Sequence, residues 1–213
     1  MLEINNLNVR LGTADVLRGV SLSVPKGAIV GLIGRNGAGK TTTLRAIMGL
    51  VPPVSGTMTF DGKDLGSVPT HGRTALGMGY APEDRRLIPD MSVEENLCVP
   101  GWALKAPDLA ERLERVYRII PEAREWGPRR AMALSGGQQK LVAVGRAIVT
   151  GERLLMLDEP FEGVAPALSK RIADVIGQLR QAGLAVILSG ADLQHAGAVL
   201  DQVYKIDRGQ MLA

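Results

Sequence analysis

Cysteine occurs once in 213 residues, at Cys98. No internal disulfide is possible, and a lone thiol of this kind reads as a small buried hydrophobe in a reducing compartment. Aromatic residues make up only 3% of the chain, and the Lys and Arg behind a formal net charge of +3 are scattered. Stacking platforms and basic stripes are both missing, which excludes a nucleic-acid partner. No apolar run approaches the roughly 18 residues needed to span a bilayer. Residues 1 to 7 lack a basic region followed by a long apolar stretch, so no secretory leader is expected. Work at a membrane would be that of a peripheral subunit. Internal repeats and low-complexity linkers are absent too.

What remains is ordinary globular material, with 46% hydrophobic and 22% charged residues. The length suits one α/β domain, or a core with an inserted subdomain. Residues 2 to 10 and 15 to 24 alternate as strands do, and Pro25-Lys26-Gly27 turns the chain into the apolar run 28–33. Thr57 to Phe60 reads as a strand closed by the Asp61-Gly62 turn. From about 92 to 150 the periodicity is helical, most clearly over residues 107–120. Arg153 to Leu157 is an apolar strand, a helix runs from about Ala167 to Gln181, and Leu184 to Leu188 is the last core strand. Strand, helix, strand in sequence implies a mostly parallel sheet. The expected architecture is an α/β core from residues 1–84 and 151–213, with an N-terminal antiparallel β region and a helical subdomain inserted at 85–150.

Residues 34 to 41 read Gly-Arg-Asn-Gly-Ala-Gly-Lys-Thr, the complete G-x-x-x-x-G-K-[ST] phosphate-binding pattern between a strand and a helix. Gly34, Gly37 and Gly39 allow the backbone to wrap phosphate oxygens with its N–H groups inward. The helix that begins at Lys40 points its positive end at the same anion. Lys40 is expected to reach the β- and γ-phosphates, and Thr41 to offer its hydroxyl to Mg²⁺. Asp158 and Glu159, closing a buried strand, supply two carboxylates with different tasks. Asp158 holds Mg²⁺ through water, and Glu159 polarises a water for attack on the γ-phosphate. Leu134-Ser-Gly-Gly-Gln138 opens another helix with Ser135 as its cap, a second anion cradle built from the Gly136 and Gly137 amides.

In this order and spacing, Gly34 to Thr42, Leu134 to Gln138 and Leu154 to Pro160 resemble the ATP-binding subunits of ABC transporters, over essentially the whole chain. The resemblance implies a P-loop NTPase core and the ligands ATP and Mg²⁺. Nucleotide contacts would come from Gly34, Asn36, Gly37, Ala38, Gly39, Lys40, Thr41, Thr42, Leu11 and Val16, and from Ser135, Gly136, Gly137 and Gln138. Thr41, Glu83 and Asp158 would face the metal, and Glu159 would be catalytic. It further implies a head-to-tail dimer with a second ATP-binding subunit, in which each ATP lies between one phosphate loop and the partner's Ser-Gly-Gly helix. Transmembrane permease subunits, and indirectly a periplasmic or extracellular solute-binding protein, would complete the assembly at the cytoplasmic face of the inner membrane. The stretch Gly79 to Leu97, with Tyr117 to Pro121, is similar to the branched-chain amino-acid uptake subunits of the LivF type, and urea-uptake subunits are close in pattern. The implied function is a motor ATPase for import of such amino acids. The alternatives are a urea or amide importer, or a mainly regulatory subunit.

The sequence departs from the family pattern at several positions, and the regulatory alternative comes from one of them, Ala191. Glu83 stands where most members have Gln. Leu11 takes the place of an adenine-stacking aromatic, though strand packing explains it equally. Ala191 occupies the switch-histidine position and can donate no hydrogen bond; His195, one helical turn on, reads as a substitute or as a surface histidine, and His71 fares no better. Ala165 replaces an Asp that usually ends the loop after Pro160. A peripheral last helix found in typical members is expected to be missing after residue 213. A permease helix would dock in a groove of the helical insertion near Glu83, where Met91, Val93 and Leu97 line it or, for at least two of them, pack in the core.

Overall fold

The computed structural model describes residues 1–193, 197 and 199–212. Strands β1 (Leu2–Leu11) and β2 (Ala14–Val24) pair antiparallel, with Leu2, Ile4, Leu7 and Val9 facing the same buried side as Leu17, Val20, Leu22 and Val24. Strict alternation would turn Leu7 outward. A register shift between Ile4 and Leu7, with Asn6 at φ 51°, inserts the extra residue that returns it to the core face. With β4 (Ser55–Phe60) and β5 (Lys63–Asp64) these strands form a four-stranded antiparallel sheet in the order β2-β1-β4-β5.

The second sheet contains β3 (Ile29–Ile33), β6 (Met78–Ala81), β7 (Leu154–Leu157), β8 (Ala185–Gly190), β9 (Gln202–Asp207) and β10 (Gln210–Leu212), ordered β10-β9-β3-β8-β7-β6. All its pairings are parallel except that of β10 with β9. Its central strands are covered on both faces, as crossover helices require. Leu154 and Met156 of β7 join the apolar cluster under the antiparallel sheet, while Leu155 and Leu157 join a cluster on the opposite face. That second cluster runs unbroken from the sheet into α3 (Val93–Leu104), α4 (Leu109–Ile119), α6 (Gly136–Thr150) and α7 (Pro166–Gln181). Two shorter helices are α2 (Thr70–Ala75) and α5 (Glu122–Glu125), and α1 (Lys40–Ile47) follows β3.

Sequence and structure part company after β8. It is not the last core strand, because β9 adds to β3 in parallel and β10 folds back on β9. Only Ile206 of β9 is buried, so the strand carries no apolar alternation to announce it. The helical stretch from 92 is also broken, at Lys105, which ends α3 at φ 50°. Val93 and Leu97 are fully buried in the core, Met91 is half-buried, and the exposed apolar side chains nearby are Ile88 and Met132.

The carboxyl end of α1 is closed by a buried arginine. Arg73 donates through Nη1 to the Ala46 and Ile47 carbonyls (2.8 and 2.6 Å), through Nη2 to Leu65 O (2.7 Å) and through Nε to Val68 O (3.1 Å). It thus satisfies the Ile47 carbonyl at the helix end and adds a second donor to Ala46 O, which also accepts from Gly49 N–H (2.9 Å). Burial pulls its pKa down, and Asp64 opposes that. Arg73→Met is expected to cost about 3 kcal/mol, since the truncation leaves the Ile47 and Val68 carbonyls without the guanidinium and takes a second donor from those of Ala46 and Leu65. Urea titration should show a midpoint lowered by roughly 1 M or more at unchanged m-value; an unmoved midpoint would contradict this account.

Candidate nucleotide site

The loop between β3 and α1 is held from behind by the β9–β10 turn. Gly209 N–H donates to Ala38 O (2.8 Å), and Arg18 N–H donates to Gly209 O (2.8 Å). A Cβ at Gly34 would collide with the Ile206 carbonyl oxygen, so only glycine lets the loop seat there. Gly39 caps α1 at φ 112°, a conformation side chains resist, and a Cβ on it would stand 2.7 Å from Leu17 Cδ2. Inside the loop, Lys40 Nζ donates to the carbonyls of Gly34 (2.7 Å) and Arg35 (3.1 Å) and pairs with Glu159 Oε1 at 2.9 Å. Both side chains of this pair are buried.

Asp158 gathers three hydroxyls. Its Oδ1 accepts from Thr41 Oγ1 (3.0 Å) and Ser189 Oγ (2.7 Å), and its Oδ2 accepts from Tyr80 OH (2.9 Å). Tyr80 reaches it because β6 and β7 are adjacent and parallel, with Tyr80 beside Met156 in register. Burial and the nearby Asp158 carboxylate push the Tyr80 phenol up, so it stays a proton donor. Neither Ser189 nor Tyr80 is singled out by sequence reasoning. Each belongs to a different strand of the parallel sheet, and only the strand order brings them to Asp158.

Glu159 sits at φ 48°, rare for a non-glycine residue. Its N–H donates to Ser189 Oγ (3.0 Å), and its carbonyl accepts from Lys140 Nζ (2.6 Å) and Glu162 N–H (3.2 Å). Desolvation raises its carboxyl pKa above the ordinary range, with Lys40 pulling the other way. That shift leaves a carboxylate more basic than a solvated one.

A cleft of about 320 Å³ lies over the loop, lined by Val16, Asn36, Gly37, Gly39, Lys40, Thr41, Thr42, Glu83, Glu159 and Glu162. Ala38 is buried, and Leu11 is 47% exposed at the end of β1, away from that lining. Ser135 caps α6 in a reciprocal box, its Oγ accepting from Gln138 N–H (3.3 Å) and its own N–H donating to Gln138 Oε1 (3.0 Å). Ser135, Gly136, Gly137 and Gln138 line a separate, larger cleft of about 690 Å³ with Arg85 and Lys140, and among the described residues only Glu83 and Glu162 border both spaces. The Ser-Gly-Gly amides therefore do not close over this chain's own phosphate loop. Arg85 Nη1 donates to Gly136 O (3.1 Å), tying the Glu83 segment to the start of α6.

Ala191, just past β8, borders a third cleft of about 290 Å³ with Asn36, Glu159, Phe161, Glu162, Ser189, Gly190 and Asp192. Its methyl group brings no donor to that space. His195 lies outside the described residues, and His71 is exposed on α2. Ala165 is the N-cap of α7 and makes no side-chain cap bond. Among the described residues no group of three His, Cys, Asp or Glu side chains is arranged to hold a metal ion on its own, and no helix is long and apolar enough to cross a membrane.

Comparison with known proteins gives the family and the fold. A family model described as "ABC transporter" matches residues 17–162. The high-affinity branched-chain amino acid transport ATP-binding protein BraG of Pseudomonas aeruginosa is 34% identical over 212 residues, covering 100% of this chain and 91% of the relative. The lipopolysaccharide export system ATP-binding protein LptB of Escherichia coli is 34% identical over 200 residues (93% and 83%). The probable branched-chain amino acid transport ATP-binding protein LivF of Archaeoglobus fulgidus is 32% identical over 212 residues (99% and 90%). Among solved structures, a nucleotide-free ATP-binding cassette from an ABC transporter superposes with a TM-score of 0.87 at 28% identity, covering 100% of this chain and 90% of the other. A cassette in its ADP conformation gives 0.86 at 28% (100% and 89%).

Proposed function

Since this chain belongs to the ABC transporter family of ATP-binding subunits and is an ATPase of that kind, we propose that it drives a solute importer for branched-chain or related amino acids, bound peripherally at the cytoplasmic face of a membrane. The observation that carries the catalytic part is the buried set Lys40, Glu159 and Asp158, with half-buried Thr41 joining Asp158 to the phosphate-loop cleft. Lys40 exchanges its Glu159 contact for the β- and γ-phosphates of arriving ATP. Asn36, Gly37, Gly39, Thr41 and Thr42 wrap those phosphates from the loop, and Val16 packs beside them. Glu159, released from the lysine, orients a water on the γ-phosphate and takes its proton.

The donor set fits Mg²⁺. Thr41 Oγ1 and Asp158 Oδ1 are hard oxygen atoms 3.0 Å apart, with Glu83 on the rim of the same cleft, and water and phosphate oxygens suit the remaining positions. When bound, the ion neutralises charge building on the phosphate oxygens. Tyr80 and Ser189 hold Asp158 in the orientation that serves it.

Because the Ser135 cradle opens on its own cleft, the reading includes a second ATP-binding subunit whose nucleotide is completed by Ser135, Gly136, Gly137 and Gln138 of this one. Permease docking is assigned to the surface around Ile88 and Met132, beside the Glu83 segment. A solute-binding protein belongs to the assembly indirectly.

The reading of the solute is supported by the relatives BraG and LivF, each similar over nearly the whole chain. The LptB relatives, equally identical over 93% of it, favour a second reading, lipid export. Reconstitution with the membrane subunits decides between them. ATP hydrolysis in proteoliposomes is expected to rise several-fold with a leucine-loaded binding protein and to ignore lipopolysaccharide; stimulation by lipopolysaccharide alone would replace the import reading with the export one.

A further inference from the structure

We infer that Lys140 is a positioning residue for ATP hydrolysis: from the start of α6 it fixes the backbone of Glu159 and, through it, the direction of the Glu159 carboxylate. The inference rests on the proposed role of Glu159. Lys140 lies within α6, a few residues from the Ser135 cap, on the wall of the same cleft, and its ammonium is bonded to the loop after Asp158. Its Nζ donates to the carbonyl oxygens of Glu159 (2.6 Å) and Glu162 (3.0 Å), and only 8% of the residue is exposed. A buried ammonium is disfavoured by lost hydration, so a lysine given carbonyls as partners needs a reason to be there.

Glu159 supplies one. Its left-handed φ of 48° is a conformation a non-glycine residue keeps only when its neighbours impose it. Ser189 Oγ holds the peptide group before its Cα, and Lys140 with Glu162 N–H holds the one after. With both peptide planes tied, the Cα–Cβ direction is set, and the carboxylate arrives 2.9 Å from Lys40 Nζ on the phosphate loop. Without Lys140 the carbonyl keeps only the 3.2 Å bond from Glu162 N–H, and Glu159 is free to relax toward a right-handed conformation that carries its carboxylate off the reacting water. The bond at the Glu162 carbonyl closes the same turn from its far end.

The test compares Lys140→Met and Lys140→Arg in the full chain, assembled with whatever subunits its wild-type turnover requires. Met keeps the apolar stem and removes the donors; Arg keeps the charge and can serve two carbonyls. Lys140→Met is expected to lower kcat about ten- to a hundred-fold with the KM for ATP within about two-fold, because misplaced catalytic groups cost rate before affinity. Lys140→Arg should recover most of that loss. Adding Lys140→Met to Glu159→Gln should cost nothing further, as expected when one residue acts through another. Wild-type kcat in Lys140→Met, or kcat and KM falling together with no rescue by Arg, overturns the inference. Should Glu159→Gln itself leave turnover intact, the base assignment falls instead, and that result is told apart by being independent of any change at Lys140.

Discussion

Glu159→Gln is expected to lower ATP turnover by about 10²–10⁴-fold while leaving ATP affinity nearly unchanged. The amide has the shape of the carboxylate, so its oxygen can keep the contact with Lys40, and the backbone ties to Ser189 and Lys140 are untouched. What is lost is basicity alone. Burial raises the carboxyl pKa of Glu159, which brings the base closer to neutral pH, whereas an amide accepts no proton at all. Phosphate release measured beside equilibrium nucleotide binding separates the two quantities. Turnover within a few-fold of wild type would remove Glu159 from the chemistry and leave Asp158 and the phosphate loop as binding elements only.

In the cleft that Ala191 shares with Glu159, Ala191→His should raise kcat by about 10²–10³-fold, the usual effect of one oriented donor to transition-state charge, roughly 2.7–4 kcal/mol. Ala191 follows β8, and the cleft of about 290 Å³ beside it reaches Asn36 and Glu159, so there is room for an imidazole facing the γ-phosphate position. The wild-type chain, lacking that donor, is expected to be a slow ATPase. Steady-state hydrolysis of wild type and variant, under conditions where both form the same assembly, provides the comparison. Equal rates would mean that another group already fills the role, with Asn36 the first to test because it borders both this cleft and the phosphate-loop cleft.

How much of this is legible in the sequence depends on whether the signal is local. The phosphate loop, the Asp158-Glu159 pair and the Ser135 cap are contiguous motifs whose chemistry comes with their spacing, and the β7 and β8 strands are apolar runs that a doubly covered parallel sheet demands. Tyr80, Ser189, Lys140 and Arg73 leave no such trace. Their partners lie 78, 31, 19 and 27 positions away for the bonds to Asp158, Asp158, Glu159 and Ala46. A tyrosine in a short strand, a serine at a strand end, or a lysine or an arginine in a helix looks commonplace until the sheet order is known. β9 escapes for a different reason. It is an outer strand capped by β10, mostly exposed, so the alternation that betrays β1 and β2 never develops.

The support behind the phosphate loop also sets an order of events at the ribosome. β3 lies between β8 and β9, and the loop that follows it leans on the Ile206 carbonyl and on Gly209 N–H. A nascent chain that has completed its phosphate loop thus carries it without β8 until residue 190 has been made, and without β9 or the backing turn until residues 202–209 have been made. Val30 and Leu32 meanwhile lack the neighbours that bury them in the finished sheet, an apolar surface suited to a holding chaperone. ATP capture becomes possible only when almost everything else has folded. A bound nucleotide thus reports that β9 and the turn after it are in place.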